Sequence, residues 1–387
     1  RASYGFTGNT EIGVYESLAT LGTSNWILGN QLVSGFFPNK IPNPDLKWER
    51  TGQFDIGLDL GLFNNRLRIT TDYYKKKTTD LLYSVAVPAT SGYQTMLKNI
   101  GSIENQGYEL SIESDNLTGA FSWTTAFNIA FNRNKVLELG GEEYKEMAEG
   151  DGHLKTGSVR RLIVGEPIGV FYGYRFDGIF QNEEECKQQT SSASPIGVGL
   201  RRYKDLNGDG KVDAANDREI LGDANPKFFG GLTNTFAYKG FELNVFLQYS
   251  YGNKILNYNA MELENPTGGQ NAYADMVNRW TPENPSNIYP KATTNRALLV
   301  SDRFIEDGSY LKLKTLSLSY SFPKINLKHI QGLRLYVTGQ NLLTWTKYRG
   351  YDPDVINRGA STLEAGEDFG GYPQSRTFMF GIKLDIK

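Results

Sequence analysis

The stretch QFDIGLDLGLFNNRLRITTDYY, Gln53–Tyr74, decides how this chain can fold. Apolar residues from Phe54 to Leu60 alternate with Asp and Gly, and the alternation resumes at Leu67 after a pair of asparagines. Because successive side chains of a strand point to opposite faces, the stretch is predicted to form a β-hairpin with one apolar and one polar face. Each arm has about ten residues, more than the usual five or six of a soluble strand and close to the roughly 9 to 11 that a tilted strand needs to cross a bilayer.

One such hairpin fits a soluble sandwich as well as a membrane barrel, so repetition has to decide. Ten segments carry the two-faced pattern. They are Arg1–Thr7, the two arms of the hairpin, Gln106–Ser114, Ala120–Asn132, Phe229–Tyr238, Phe241–Tyr251, Tyr310–Phe322, Gly332–Trp345 and Arg376–Ile386. Within Tyr310–Phe322 the apolar residues change phase, which predicts a β-bulge near Lys314 and Thr315.

The connections between these segments alternate in length. Short turns follow Gly61, Ser114, Tyr238 and Phe322, and long polar segments occupy 8–52, 80–105, 133–228, 252–309 and 346–375. A soluble sandwich gives no reason for this alternation, whereas a membrane barrel has tight periplasmic turns and long extracellular loops. The predicted fold is therefore all-β, an antiparallel transmembrane β-barrel with long extracellular loops.

The same parity places one further segment and assigns the two faces. Phe171–Phe180, FYGYRFDGIF, looks like a strand, but counting it as a crossing would put the short turn at Lys239 and Gly240 outside the cell. It is therefore predicted to lie in an extracellular β-layer, and ten crossings leave the C-terminus in the periplasm. Residues predicted to face lipid are Phe127, Ile129, Leu243, Val245, Phe378 and Phe380, and those predicted to face the lumen are Asn128, Asn244, Gln248 and Lys383.

Composition excludes several classes of protein. The 387 residues are 39% hydrophobic, 13% aromatic and 22% charged, with a formal charge of -2, so disorder is excluded and no charge excess points to nucleic acid. No run of 18 apolar residues exists, which excludes a helical membrane span. Cys186 is the only cysteine and has neither metal-ligand nor redox spacing. The opening at Arg1, without an initiator Met or signal peptide, suggests a piece of a longer chain.

The segment DLNGDGKVDAAND, Asp205–Asp217, has the spacing of a calcium loop. Alternating oxygen ligands with a glycine at the sharp turn let a chain curl around one hard cation. The predicted Ca²⁺ ligands are Asp205, Asn207, Asp209, the backbone carbonyl of Lys211, Asp213 and Asp217. Position 12 holds Asn216 rather than an acid, so one residue must bulge for Asp217 to close the shell, and no flanking helices are predicted. The alternative is an Asx- and Gly-rich turn that is only well solvated.

No constellation of residues indicates an enzyme. Carboxylates at Asp55, Asp59, Glu109 and Glu113 could imitate a glycosidase pair, but a water-filled interior explains such polar residues without catalysis. Motifs of serine hydrolases, zinc proteases and nucleotide-binding proteins are absent from the sequence. His153 and His329 lie far apart without zinc spacing, so both are predicted to lie on loop surfaces.

Tryptophans fall into two groups. Trp48, Trp123 and Trp345 lie near predicted strand ends, where interfacial aromatic girdles are expected. Aromatic residues in the predicted loops could stack on sugar rings, although packing within the loops is the favoured interpretation. These loop residues are Trp26, Tyr273, Trp280 and Tyr289.

Seven stretches carry a family pattern over nearly the whole chain. They are NPDLKWERTGQFDIGLDLGLFNNRL from Asn43, NIGSIENQGYELSI from Asn99, RYKDLNGDGKVD from Arg202, ILGDANPKFFGGL from Ile220, YLKLKTLSLSYSFP from Tyr310, VTGQNLLTW from Val337 and YPQSRTFMFGIKL from Tyr372. In this order they resemble the C-terminal barrel of the SusC/RagA family of TonB-dependent outer-membrane transporters.

The resemblance implies that residues 1–387 form the C-terminal part of one barrel domain, about ten crossing strands of a 22-stranded barrel. The N-terminal plug, the TonB box and the first half of the barrel would be absent from this chain. It also implies a SusD-like lipoprotein as a lid, TonB as the energy source and oligosaccharide or peptide cargo. The end at Ile386 and Lys387 departs from the family's usual terminal aromatic residue, which suggests a variant or trimmed terminus.

The predicted function is thus TonB-dependent import across the outer membrane, with the barrel wall in contact with outer-membrane lipid. The alternatives are a passive porin and a soluble or surface-anchored β-protein that binds glycans. The identity of the cargo depends on loop geometry and on the lid and plug.

Overall fold

The structure is a computed structural model, and it describes residues 1–9, 13–93, 95–147, 154, 156–265, 271–294, 298–322, 330–354 and 365–386. Its main element is a ten-stranded antiparallel sheet, numbered here in chain order. The strands are β1 (Ala2–Asn9), β2 (Glu49–Leu62), β3 (Leu67–Thr79), β4 (Ser102–Thr118), β5 (Phe121–Glu138), β6 (Phe228–Tyr238), β7 (Phe241–Tyr251), β8 (Tyr310–Ser321), β9 (Ile330–Thr346) and β10 (Thr377–Ile386). Each strand pairs with the strands before and after it in the chain, so β1 and β10 form the two edges.

The register gives the sheet two chemically distinct faces, as predicted. One row of cross-strand partners consists of Trp123, Phe236, Leu243, Leu318, Val337 and Phe380. The adjacent row consists of Thr124, Thr235, Asn244, Ser317, Thr338 and Met379. Because neighbouring rows point to opposite sides, we call the side of Leu243 the apolar face and the side of Asn244 the polar face.

The predicted bulge is confirmed. Phe246 pairs with Thr315 and Leu247 with Leu313, so Lys314 is the extra residue on β8. The additional residue restores the phase of the strand, and Leu313 therefore lies on the apolar face together with Leu318. Without the bulge, half of β8 would present its leucines to the polar side.

The alternation of turns and loops is also confirmed within the described residues, whereas the predicted turn after Phe322 lies outside them. Residues 63–66, 119–120 and 239–240 close short turns at one end of the sheet, and both residues of the last turn have positive φ, Lys239 at 46° and Gly240 at 88°. Such a pair suits the tight twisted hairpin that joins β6 and β7. The connections at the other end span 10–48, 80–101, 139–227, 252–309 and 347–376. We call these two ends the turn end and the loop end.

Tyrosines cover glycines on the polar face. The Tyr74 ring lies over Gly107, where a methyl group would come within 2.4 Å of the ring, and its hydroxyl donates to Asn132 Oδ1 on the next strand at 3.2 Å. Tyr336 covers Gly381 in the same way, at 2.1 Å. Each ring therefore occupies the space that only a glycine leaves free.

Phe171–Phe180 lies outside the ten-stranded sheet, in agreement with the prediction. Val170–Tyr174 pairs with Arg218–Asp223, and Phe176–Ile179 pairs with Arg201–Tyr203.

The other short strands are Thr20–Leu28, Gln31–Lys40, Leu82–Ala86, Thr95–Asn99, Tyr144–Glu146, Arg161–Ile163, Thr190–Ser191, Lys211–Val212, Lys254–Asn257, Ile305–Asp307 and Glu367–Asp368. Helices are Glu183–Gln188 and Tyr258–Leu263, with 3₁₀ turns at Ala89–Ser91, Ala274–Asn278 and Asp302–Phe304. None of the helices in the described ranges has the length and apolarity to cross a membrane.

The buried core lies in the long connections rather than against the sheet. We call the connections 139–227, 252–309 and 347–376 the loop layer. Its central cluster includes Phe171, Leu256, Tyr258, Met261, Leu298 and Phe304, each no more than 2% exposed. On the apolar face of the sheet, by contrast, Phe380 is 81% exposed and Phe378 is 63% exposed. The sheet thus presents a hydrophobic surface to its surroundings while the loop layer has its own interior.

Candidate functional site

The polar face of the sheet is lined by ion pairs that remain open to solvent. Arg1 contacts Asp59 and Asp72, both at 2.8 Å, and the Thr70 hydroxyl donates to Asp59 at 2.9 Å. Because these side chains keep much of their exposure, such pairs contribute little to stability, about 0 to 1 kcal/mol each. The predicted lumenal carboxylate Asp59 therefore lies in a hydrated ion-pair network.

A second ion pair accounts for another of the carboxylates. Arg68 Nε lies 2.9 Å from Glu113 Oε2, and both side chains are about half exposed. Further along the face, Arg334 donates to Glu242 at 2.6 Å. The first pair joins the neighbouring strands β3 and β4, and the second spans from β9 across β8 to β7. This surface offers many hydrogen-bond donors and acceptors to a passing polar solute.

Uncharged polar side chains complete this lining. Asn244 Nδ2 donates to Thr235 Oγ1 at 2.9 Å, and the hydroxyls of Ser317 and Thr338 lie 2.7 Å apart. The structure places Asn128, Asn244, Gln248 and Lys383 on this face. Phe127, Ile129, Leu243, Val245, Phe378 and Phe380 lie on the apolar face. The backbone register thus agrees with the predicted division between the two faces.

A loop folds over the polar face at its loop end. Lys312 of β8 points to the polar side and its side chain is 2% exposed, with Nζ 2.6 Å from Asp352 Oδ1 and 3.4 Å from Asp354 Oδ2. A buried ammonium group needs such partners, because an unpaired charge away from water is strongly destabilising. The segment 347–354 is therefore held against the mouth of the sheet by charge.

Buried ion pairs also connect distant parts of the loop layer. Arg160 is 2% exposed, donates to Glu367 at 2.6 Å and to the Gly169 carbonyl at 3.0 Å, and lies 4.5 Å from the ring centroid of Phe171. These contacts connect the 139–227 connection to the 347–376 connection. Since both charges are buried and compensated, the two connections are held in one arrangement.

A second buried carboxylate lies nearby. Glu264 is fully buried and accepts from Arg303 at 2.5 Å and from Arg349 at 2.7 Å. Burial alone would lower the pKa of Arg349, but its hydrogen bonds to the carboxylates of Glu306 and Glu264 raise that pKa above its ordinary value. Burial is the main cause of the lowered pKa of Arg201, whose guanidinium donates to the backbone carbonyl of Glu264 at 3.0 Å. The loop layer therefore behaves electrostatically like the interior of a folded domain.

In the predicted calcium loop, backbone amides occupy many of the carboxylate oxygens. Asp205 accepts from Gly208 and Gly210 at 2.7 and 2.6 Å. Asp217 is fully buried and accepts from Leu206 and Asp213, both at 2.7 Å. The Asp217 side chain thus links Leu206 and Asp213 within the loop. Asp217 is also the position at which the sequence predicts the last Ca²⁺ ligand.

The remaining predicted ligands lie along the exposed side of the same loop. Asn207 and Asp209 accept backbone N–H groups two residues ahead, at 3.2 and 2.8 Å. The Lys211 ammonium group lies 3.1 Å from Asp213 Oδ2, and this hydrogen bond is the main cause of the lowered pKa of Asp213. In the part of the chain that the structure describes, no group of three or more His, Cys, Asp or Glu side chains is arranged to hold a metal ion. Calcium binding stays a prediction.

The tryptophans differ in how far their rings are exposed. Trp48 and Trp345 are more than half exposed, while Trp123 donates to Asn234 Oδ1 at 2.9 Å. In the loops, Trp280 is 9% exposed and donates to Gln181 at 3.0 Å, so its ring is used for packing. Trp26 is 57% exposed and its face remains available. The two histidines, His153 and His329, lie outside the described residues.

Sequence reasoning missed one large feature, a hairpin in the first long connection. Thr20–Leu28 pairs with Gln31–Lys40 around Gly29 and Asn30, which both have positive φ. No charged residue occurs from 20 to 39, and the hairpin exposes large apolar side chains. The most exposed are Leu21, Ile27, Leu28, Leu32 and Phe36, at 69% to 78%. The Gly-Asn pair between two apolar runs was the available sequence signal.

Comparison with known proteins agrees with this architecture. The family model described as TonB dependent receptor-like, beta-barrel, matches residues 1–342. TonB-dependent receptor P3 of Formosa agariphila is 40% identical over 391 residues, which cover 99% of this chain and 39% of that protein. TonB-dependent receptor SusC of Bacteroides thetaiotaomicron is 29% identical over 405 residues, which cover 100% of this chain and 37% of SusC.

Solved structures give the same result. The RagAB peptide importer in its 'open-open' state superposes with a TM-score of 0.79 at 28% identity, over 99% of this chain and 39% of that one. The chain belongs to the TonB-dependent receptor β-barrel family, and its ten-stranded sheet is part of such a barrel. It spans about two fifths of the length of these relatives. The predicted family and fold class are confirmed.

Proposed function

We propose that the protein containing this segment imports polar oligomeric nutrients across the outer membrane, driven by TonB. The observation that carries the proposal is the pairing of an exposed apolar face with a hydrated polar face on one ten-stranded sheet of this family. A wall with these two faces separates lipid from an aqueous passage. Because no catalytic arrangement is needed for transport, we further propose that the protein is not an enzyme.

The cargo that we propose is an oligosaccharide or a peptide. Amide, hydroxyl and carboxylate groups on the polar face suit either class, since both carry many hydrogen-bond donors and acceptors. The RagAB neighbour is described as a peptide importer, which favours a peptide. Exposed aromatic rings in the connections, such as that of Trp26, favour a sugar.

The test is an uptake assay in cells that express the intact protein. Labelled oligosaccharides and peptides are offered to cells with and without TonB, beside cells that lack the receptor. Uptake that requires both the receptor and TonB supports active import. Receptor-dependent uptake that continues without TonB would instead establish the passive porin.

We also propose a SusD-like surface lipoprotein as the partner, docked on the loop end of the sheet. Support comes from the hairpin Thr20–Lys40, which has no charged residue before Lys40 and whose exposed apolar side chains need a covering surface. Substitution of Ile27 and Phe36 by Ser should weaken co-purification of the lipoprotein, whereas substitution of Thr23 and Ser34 by Asn should not. Equal recovery of lipoprotein with both variants would remove this hairpin from the interface.

Finally, we propose that Asp205–Asp217 binds Ca²⁺, which would gather its acidic side chains around one cation. The loop would then resist protease better in calcium than in chelator, and Asp205→Ala with Asp209→Ala would abolish the difference. Because backbone N–H groups donate to Asp205, Asp209 and Asp213, calcium would have to displace some of these hydrogen bonds. Equal protease resistance with calcium and with chelator would show that the segment is only a turn.

A further inference from the structure

The two ends of the apolar face differ in charge. At the loop end, Phe54 pairs with Lys75, Lys75 with Gln106 and Gln106 with Arg133. The next row runs from Gly52 through Lys77 and Glu104 to Lys135. These two rows therefore carry four cations and one acid on the same side as the exposed apolar band.

One further cation extends this charged rim. Arg50 lies on β2 two residues before Gly52 and is exposed. We call Arg50, Lys75, Lys77, Arg133 and Lys135 the basic belt. Described strand positions on the apolar face at the turn end hold no Lys or Arg, and residues such as Leu62, Leu67, Trp123, Phe236, Phe241 and Tyr320 occupy that end. The positive charge thus marks one edge of the apolar band only.

A cleft of about 430 Å³ lies where the belt meets the apolar band on β1, β2 and β3. Its floor is aromatic, formed by Tyr4, Phe6 and Phe54. Its basic side chains come from Arg50, Lys75 and Lys77. The cleft therefore combines an apolar surface with three cationic groups in one space.

The cations are held in place without being neutralised. Arg50 lies 4.0 Å from the centroid of the Phe6 ring, a cation–π contact that orients the guanidinium group but leaves its charge. Lys75 lies 3.1 Å from Glu104, and its side chain is still 47% exposed. One carboxylate beside three cations leaves an excess of positive charge over the aromatic floor.

We propose that this cleft binds a phosphorylated lipid of the membrane leaflet on the loop side. Its phosphate would contact Arg50, Lys75 and Lys77, and an acyl chain would pack on Phe6 and Phe54. A soluble anion would leave the aromatic floor uncovered, and a neutral lipid would leave the cations without partners. Only a molecule with both parts complements the cleft and continues into the lipid-facing band. The inference rests on the proposed function in one respect, since it requires the apolar face to lie in a bilayer.

The test is native mass spectrometry of the intact, detergent-purified receptor titrated with lipid A that carries two phosphates. A variant with Arg50→Gln, Lys75→Gln and Lys77→Gln should bind about a hundredfold more weakly, because each cation near an anionic lipid surface contributes roughly a fivefold factor. Lys76→Gln is the matched control, since Lys76 neighbours the site but points to the polar face. Its affinity should equal that of the wild type.

Two further arms define the ligand. Lipid A without phosphates should bind the wild type weakly and the triple variant equally weakly, whereas inorganic phosphate should not compete. Phe6→Ser should weaken lipid binding with Arg50 still present, which tests the aromatic floor separately. Unchanged affinity in the triple variant, or competition by inorganic phosphate alone, would overturn the proposal.

Cargo uptake separates this inference from the proposed import. The triple variant should keep its heat-modifiable migration and its uptake, because none of the three cations lies on the polar face. Normal uptake with undiminished lipid affinity would overturn the lipid site alone. Absent TonB-dependent uptake in a wild type that binds the lipid would overturn the import proposal alone.

Discussion

The ten-stranded sheet and the loop layer follow opposite rules of burial. In the sheet, large apolar side chains such as Phe380 are exposed, and charged pairs such as Arg68 with Glu113 are hydrated. In the loop layer, Phe171 and Phe304 are fully buried and charged pairs such as Arg160 with Glu367 are enclosed. The apolar face of the sheet thus needs surrounding lipid to cover it, whereas the loop layer buries its apolar side chains against one another. One chain therefore combines a membrane-facing sheet with a loop layer that has its own core, and different contacts stabilise the two.

The largest effect is expected from a buried pair in the loop layer. Arg160→Met removes the guanidinium that compensates Glu367, and breaking such a pair typically costs about 3 to 5 kcal/mol. Hydrogen exchange should accelerate in 156–174 and 365–369 while the sheet stays protected. The matched control is Arg68→Met at an exposed pair, for which less than about 1 kcal/mol is expected. Equal effects of the two substitutions would remove the distinction between the regions.

The next prediction tests the two faces of the sheet with adjacent residues of β7. Val245→Arg, in the middle of the strand, should cost about 2 to 4 kcal/mol near the bilayer midplane, and Asn244→Arg much less, because only the first places the charge in lipid. Urea titration of folding into lipid vesicles measures both. Similar costs at the two positions would contradict the assignment of the faces.

A smaller effect concerns packing on the polar face. Gly107→Ala would place a methyl group within 2.4 Å of the Tyr74 ring, so the ring must move and its hydrogen bond to Asn132 is lost. Overpacking of this kind costs about 1 to 3 kcal/mol. Gly5→Ala is the control, because nothing lies within 4 Å of its added methyl group. Equal stability of the two variants in the urea titration would show that the ring adjusts freely.

The smallest effect is a pH dependence confined to 205–217. The hydrogen bond from Lys211 lowers the pKa of Asp213, so its carboxylate stabilises the loop fully above the ordinary Asp pKa of about 3.9 and loses this contribution as pH falls through the lower folded value. Hydrogen exchange of 205–217 should therefore rise below about pH 4. Asp213→Asn should flatten that change while leaving the sheet unaffected.

The strands of the sheet could be predicted from the sequence because their alternating pattern involves only residues close together in the chain. In stretches such as Gln53–Tyr74, strict alternation of apolar and polar residues shows which side chains lie on each face of the sheet. The bulge at Lys314 was also visible in the sequence, as a change of phase in that alternation. The loop layer was not readable, because its core joins residues distant in the chain. Arg160 and Glu367 are 207 residues apart, and nothing near either one marks it as buried.

The candidate sites also divide into those that a local sequence pattern predicts and those that depend on contacts between distant residues. The polar face could be assigned from periodicity, but the basic belt could not, because it needs the pairing of Lys75 with Gln106 and of Gln106 with Arg133. The hairpin Thr20–Lys40 was missed although its Gly-Asn turn was visible. In that stretch both faces carry apolar and uncharged polar residues, so the alternation that revealed the other strands is absent.

The tyrosines that cover glycines also bear on how the strands find their partners. Tyr74 fits its neighbour only where Gly107 stands opposite, and Tyr336 only where Gly381 does. A slip by two residues keeps every side chain on its correct face, so the division between lipid and water cannot detect that error. It would, however, press the Tyr74 ring against Glu109 or Asn105 in place of Gly107, and the Tyr336 ring against Met379 or Lys383 in place of Gly381. The fit between each tyrosine ring and its glycine thus selects the native register during assembly, which the hydrophobic pattern alone leaves undetermined. Gly107 and Gly381 therefore fix the alignment of their strands.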